Sequence, residues 1–369
     1  MPQISKRLSF LDCSPLISKV SDQLQSWQNR RHLSYAGRIQ LIKSVIMGIQ
    51  IYWTSNYILP IKVLEKIDKM CSAFLWGNKI HLVSWSEVCK DKEHGGLSLF
   101  NARYWNYSAG IKLLWMIHTK KDLLWIKWVH ENYLQNQSIW QIQPRKNDSW
   151  MWRQLLKVRD LVISRFGSMG NIQGVLDSCL KDGNIQISSI YKAISYSSAT
   201  VNWSKSVWGG LHYPKHSLIM WLAILSRLLT KDRLYRMKIL EANQNQCVLC
   251  TGSANRPESK NHLFFECQYS ASVWNDMMEW LGFTWRSCDW NCVMNWFNNN
   301  LKGLGFMKKV KRMVLSATIY WIWKERNSRI FQQKCRSSDQ LVREVKISVL
   351  MKVLQEKVPD HLRERINRL

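Results

Sequence analysis

The sequence predicts a mainly α-helical protein with few short strands, and three observations carry that expectation. Apolar residues recur at the spacing that lines one face of a helix: Ile39, Ile42, Ile46 and Ile49, then Val63, Ile67, Met70 and Phe74, then Val342, Val345, Val349 and Val353. Residues that favour helix ends punctuate those stretches, among them Ser34, Pro60, Gly77 and Thr230. Strand-type alternation is confined to pieces such as Ile185-Gln-Ile187. At 369 residues and 46% hydrophobic, the chain can bury a substantial core and divides into two or three units.

The elements follow in order. After a basic, turn-prone start up to about Ile17, a helix begins near Ser18 and carries Leu24 and Trp27. Ser34 caps the next helix, whose wet face offers Arg38 and Lys43. Those cations either track a phosphate backbone or simply solvate an amphipathic helix. Pro60 opens a third helix that stops at Phe74-Leu-Trp76-Gly77. Val83-Ser-Trp85 reads as extended and Glu93-His-Gly95-Gly96-Leu97 as a turn. A long helix from Asn106 carries Ile111, Leu114 and Trp115 and continues toward Leu123, Leu124 and Trp128. Residues 146–181 are polar and glycine-bearing, and read as a linker. Asp182-Gly183 turns the chain into a short strand and a helix start. A helix over about Lys215–Leu229 is followed by one that Thr230 caps, with Asp232 complementing its dipole. Helices over Ala271–Leu281, Lys308–Asn327 and Ser338–Lys357 complete the chain.

The most specific motif is Cys247-Val-Leu-Cys250, followed by His262 and Cys267, which reads C-x2-C-x11-H-x4-C within 21 residues. Three thiolates and one imidazole satisfy tetrahedral zinc and leave no position open for water, so the expected cofactor is one structural Zn2+ ion. A C-x-x-C can instead be a redox pair or two buried thiols, but Val-Leu between the cysteines lacks the Gly/Pro character of redox loops. His262 and Cys267 stand about one and a half helical turns apart, so a turn or helix start must bring them together. Cys288 and Cys292 have no convincing partners and read as ordinary helix or core residues.

The net charge of +27 favours a polyanionic partner, with nucleic acid the commonest, over an anionic membrane face or an idle basic surface. Residues 301–369 hold 17 Lys+Arg against 6 Asp+Glu, or +11 of the surplus. The expected nucleic-acid contacts are Arg38, Lys43, Lys308, Lys309, Lys311, Arg312, Lys324, Arg326 and Arg329. Of the 21 tryptophans, Trp27, Trp115, Trp221, Trp274 and Trp321 sit at core spacing. Trp323, beside Lys324 and Arg326, is the best placed to stack on a base. No apolar run reaches membrane-spanning length, and the first residues lack the apolar core of a signal peptide. The reducing nucleus or cytoplasm is the expected location, with no membrane and no small-molecule substrate.

Catalytic chemistry is not legible. Two-metal phosphoryl transfer requires paired carboxylates, and the chain has no adjacent aspartates, no phosphate-binding glycine loop and no nuclease-like carboxylate cluster. Cys89 and His94 lack a third, orienting group.

Cys247-Val-Leu-Cys250, Glu258-Ser259, His262-Leu-Phe-Phe-Glu-Cys267 and Val273-Trp274 resemble the zinc-binding domain at the C-terminal end of plant non-LTR (LINE-type) retrotransposon reverse transcriptases. Leu33-Ser-Tyr-Ala-Gly-Arg38, Gln40-Leu-Ile-Lys-Ser-Val45, Phe74-Leu-Trp76-Gly77 and Asn106, Ala109, Lys112 and Trp115 resemble the thumb-like and connecting region after that family's polymerase palm. The resemblance implies a thumb/connector-like helical region over 1–145, a shortened linker over 146–181, the zinc-binding domain over 182–285 and a basic helical extension over 286–369. It implies non-catalytic RNA or DNA binding by a retrotransposon-derived fragment, the palm being absent. The alternatives are a zinc-stabilised protein-interaction module and a decayed remnant without function.

Overall fold

A computed structural model describes residues 7–28, 33–77, 80–195, 199–250, 256–283, 289–303, 305–356 and 358. The chain forms two compact units: Met1–Asp91 with Gly96–Ala199, and Lys92–Gly95 with Thr200–Leu369. The expected mainly helical class holds. The described residues contain many helices and a single two-stranded sheet. Arg30, Arg31, Cys288 and Lys357 lie outside the described residues.

In the first unit, α1 (Ser14–Gln28) begins earlier than Ser18 because Leu16 and Val20 extend its buried face to Leu24 and Trp27. Ser34 Oγ accepts the Gly37 N–H at 3.2 Å and caps α2 (Tyr35–Leu41), which runs through a π-turn over Ile42–Ile46 into α3 (Met47–Thr54). α4 (Ile61–Trp76) follows Pro60 and stops at Gly77, whose φ of 73° suits a residue without a Cβ. The expected extended piece at Val83-Ser-Trp85 instead starts a short helix, α5 (Trp85–Cys89). Ser84 caps it by accepting the Glu87 N–H.

The helix expected from Asn106 is α6 (Ala102–His118), which begins at an Asn101 cap and ends before Lys120 at φ 50°. Asn106 is a buried clamp inside it: its side chain accepts the Leu59 N–H at 2.9 Å and donates to the Leu59 carbonyl at 3.1 Å. Leu124 and Trp128 belong to a separate helix, α7 (Leu124–Val129), and are 85% and 53% exposed.

The linker expected over 146–181 is a correction. Ser149 caps α8 (Trp150–Phe166), and α9 (Met169–Ser178) follows. Trp152, Leu155, Leu156, Val162, Ile172 and Leu176 bury into one core with Ile111 and Leu114. Apolar spacing outweighs the glycines here. Gly174 sits inside α9, with no atom within 4 Å of where a Cβ would stand. Gly174→Ala is therefore expected to stabilise the first unit by about 0.5–1 kcal/mol, read as a higher denaturation midpoint.

β1 (Leu180–Lys181) and β2 (Asn184–Ile185) close an Asp-Gly hairpin with positive φ at both Asp182 and Gly183, which matches strand twist. α10 (Ile187–Ser195) then packs on α6. The hairpin and α10 thus fold with the first unit rather than with the zinc region.

The second unit contains α11 (Ser204–Trp208), α12 (Pro214–Ile224), α13 (Lys231–Arg236), α14 (Gln268–Trp280), α15 (Trp290–Asn300), α16 (Phe306–Gln332) and α17 (Ser338–Leu354). α12, α14 and α17 all pack on α16, so the basic extension expected over 286–369 is part of this unit's core. Trp221 on α12, fully buried, donates its indole N–H to the Gly95 carbonyl at 2.7 Å. Ser337 and Gln340 form a reciprocal capping box at the start of α17.

Candidate metal centre and its basic surround

The four expected ligands converge. Their donor atoms all lie within 4.8 Å of one another, with Cys247 and Cys267 buried and Cys250 half-buried. Zinc–sulfur bonds of about 2.3 Å on a tetrahedron place two sulfurs about 3.8 Å apart. Cys250 Sγ and Cys267 Sγ are 3.8 Å apart, and His262 Nε2 is 3.1 Å from Cys250 Sγ. The donors therefore fit one closed structural site. Zinc there supplies cross-linking rather than reactivity, and the protein binds a single structural zinc.

Local backbone geometry explains the convergence. Cys247 N–H donates to the Arg256 carbonyl at 2.9 Å, and Gln246 bridges Pro257, so the chain returns beside the first cysteine pair. Ser259 Oγ accepts the His262 N–H at 3.0 Å. A π-turn over His262–Glu266 then closes with the Cys267 N–H on the His262 carbonyl at 2.8 Å. Five residues in an α-helix would swing Cys267 well round from His262; the wider π-turn brings the two ligands to one side. Cys267 is the N-cap of α14. The hydrogen bond from Cys247, then the backbone N–H groups of Ser270 and Tyr269, hold its thiol below the usual range despite burial. The shared hydrogen bond with Cys267, then burial, pushes Cys247 up, and burial raises Cys250. Metal binding requires all three as thiolates, so it releases protons.

Behind the ligands, α16 pins the loop at two points. Glu258, with no exposed surface, accepts Arg326 Nη2 at 2.7 Å and Arg326 Nε at 3.1 Å. It also accepts the Lys231 N–H at 2.9 Å, while its own carbonyl takes the Asp232 N–H. The cap expected from Thr230 is therefore supplied by Glu258: Thr230 occupies the N-cap position, but its hydroxyl donates to the Asp232 carboxylate. Glu325, equally buried, accepts Arg329 Nε at 2.9 Å and Arg336 Nη1 at 3.1 Å. Arg329 Nη1 reaches the Val248 carbonyl, between the first two cysteines, at 3.3 Å.

The nine expected nucleic-acid contacts divide accordingly. Arg326 and Arg329 brace the zinc loop. Arg312 is buried and donates to the Leu301 and Gly303 carbonyls ahead of α16. Arg38 Nη1 donates to the Phe74 and Leu75 carbonyls at 3.2 Å, satisfying groups at the C-terminal end of α4. Trp323 is half-buried beneath Arg326, 4.9 Å from its ring centroid. Lys43, Lys308 and Lys324 are exposed, and Lys309 and Lys311 are half-buried. Lys308 donates to the Lys302 carbonyl, and Lys311 Nζ lies 4.0 Å from the Phe283 ring.

Lys324 Nζ stands 4.1 Å from the Trp321 ring centroid. The exposed Lys215, 5.3 Å from the adjacent Tyr320 ring, is a neighbour that sequence reading missed. Its position on a different helix, 109 residues earlier in sequence, gave no signal. Partial burial, then Arg336 and Lys215, lower the pKa of Lys324. Among the described residues neither lysine has an ion-pair partner, and no helix is long and apolar enough to cross a membrane.

Comparison with known proteins agrees with the metal centre. Residues 186–274 match the family described as zinc-binding in reverse transcriptase. A protein of Arabidopsis thaliana named "Putative ribonuclease H protein At1g65750" is 32% identical over 171 residues, 44% of this chain and 27% of that protein. A second, "Uncharacterized mitochondrial protein AtMg00310" from the same plant, is 24% identical over 122 residues, 31% of this chain and 79% of that protein. The chain thus spans about a quarter of the length of the first relative. Residues 186–274, which include all four metal-site residues, thus match the zinc-binding domain of reverse transcriptases.

Proposed function

We propose that the protein is a non-catalytic nucleic-acid-binding fragment of a LINE-type reverse transcriptase, holding RNA or DNA on a zinc-scaffolded helical unit. The observation that carries this reading is the pair Lys215 and Lys324, neither in an ion pair among the described residues, each over an aromatic ring, on a chain of net charge +27. Two like charges facing solvent over the neighbouring rings of Tyr320 and Trp321 favour a polyanion, because phosphate relieves their repulsion and releases condensed counterions. Lys308, Lys309 and Lys311 add cations to the second unit and Lys43 one to the first, while Arg38, Arg312, Arg326 and Arg329 mainly hold structure. The sequence presents no adjacent aspartates, so the role assigned is positioning of a strand rather than phosphoryl transfer. Its place is the nucleus or cytoplasm, where such strands occur.

The test is the double variant Lys215→Gln/Lys324→Gln, titrated with a labelled single-stranded RNA over a salt series. Both side chains are exposed, so folding should be unchanged. Losing two phosphate contacts lowers the slope of log affinity against log salt by about 1.4, at roughly 0.7 per contact on a single strand. An unchanged slope would remove these lysines from the binding surface.

A further inference from the structure

The first unit carries a groove of about 580 Å3 that the metal centre and the cationic surface of the second unit do not explain. It lies between α6, the turn that follows it and the β1–β2 hairpin. Its wall includes the half-buried indole of Trp105, an edge of the buried Trp115, the lysines Lys112 and Lys121, the carboxylate of Asp122, which pairs with Lys127, and the amides of Asn184 and Gln186. The wall is firmly built. Trp105 stacks on Phe100 with centroids 4.6 Å apart and packs against Tyr191 at 5.8 Å, while the Tyr191 hydroxyl accepts the Asn101 N–H at 2.9 Å. Lys121 Nζ donates to the Gly183 carbonyl at 3.3 Å and so ties the turn after α6 to the hairpin tip.

Leu123 lines the groove, and the chain runs from it straight into α7. There Leu124, Trp125 and Trp128 are 85%, 38% and 53% exposed. Trp125 and Trp128 are the exposed indoles among the described residues, and Tyr133 supports Trp128 edge-on at 5.5 Å. Lysines surround the platform: Lys120 and Lys127 are exposed, and Lys121 is half-buried. The Lys127–Asp122 ion pair is almost wholly in solvent, so screening leaves it weak.

Indoles, lysines and amides together are the chemistry that recognises unpaired nucleotides. Indole faces stack on any base, ammonium groups neutralise the phosphates, and side-chain amides can pair with base edges. A duplex offers no free base face to such a site. We infer that the groove and the α7 indoles form a second binding surface, for the unpaired bases of a single strand. This inference rests on the proposed nucleic-acid function and names the form of strand this unit takes. An apolar protein segment with acidic flanks is the competing occupant.

The test uses the full-length, zinc-loaded chain and three variants: Trp125→Ala/Trp128→Ala, Lys112→Gln and Lys215→Gln/Lys324→Gln. Each is titrated with a labelled oligouridylate and with an RNA duplex of equal phosphate number, at several salt concentrations. Stacking on two indoles predicts a loss of at least about tenfold in oligouridylate affinity for the tryptophan variant. Its salt slope and duplex affinity should match wild type, since no phosphate contact is removed. Lys112→Gln should weaken the oligouridylate in turn and reduce its salt slope. Wild-type affinity for the oligouridylate in the tryptophan variant, while the wild-type chain still binds in a salt-dependent way, overturns the second surface and leaves the proposed function standing. Equal loss of duplex and single-strand affinity overturns the stacking assignment. Absence of any binding by the wild-type chain overturns both, and α7 then becomes a protein-docking face.

Discussion

Cys250→Ser is expected to abolish zinc binding, taking the metal content from one ion per chain to close to none. Apparent zinc-binding free energies in finger peptides are about 10–16 kcal/mol, as large as the whole stability of a domain, about 5–15 kcal/mol. Leu263, Phe264 and Phe265 bury into the second unit and α16 braces the loop, but the metal is the cross-link that joins Cys247 and Cys250 to His262 and Cys267 across the stretch between the bridge at Gln246 and Pro257 and the π-turn before α14. Amide exchange across the segment from about 240 to 275 should therefore rise to the level of an unfolded chain, while residues 20–130, whose core lies in the first unit, remain protected. Unchanged zinc content in the variant would remove Cys250 from the ligand set.

Glu258→Gln carries the second large effect. Glu258 and Arg326 are 0% and 4% exposed, so the guanidinium would remain buried without its countercharge. Breaking a buried pair from one side costs about 3–5 kcal/mol, far more than the pair's net worth, because desolvation is no longer repaid. The same substitution weakens the acceptor that caps α13 at Lys231. Urea unfolding should show the loss in the second unit alone, with the metal still bound at saturating zinc. Loss confined below about 1 kcal/mol would mean that water reaches the pair, as it does for surface ion pairs.

The metal centre was legible because its chemistry is local: four soft or borderline donors within 21 residues allow few other readings. Helices with continuous apolar stripes, such as α4 and α17, were legible for the same reason. Arg326 and Arg329 were not. In sequence they are cations on a basic helix, and only the fold brings Glu258, 68 residues away, and Val248, 81 residues away, against them. Net charge cannot separate a cation facing solvent from one paired inside. α8 and α9 were missed although Trp152, Leu155, Leu156 and Val162 repeat at helical spacing, because Gly167, Gly170 and Gly174 read as breaks. Gly167 does end α8, but Gly174 is tolerated within a helix that neighbouring core residues hold in place.

Whether the excess positive charge serves a nucleic-acid strand is read from fluorescence anisotropy of the zinc-loaded wild-type chain with a labelled single-stranded RNA across a salt series. Binding should fall steeply as salt rises, because phosphate contacts displace counterions. No binding at low salt, or an affinity indifferent to salt, would contradict the proposed function.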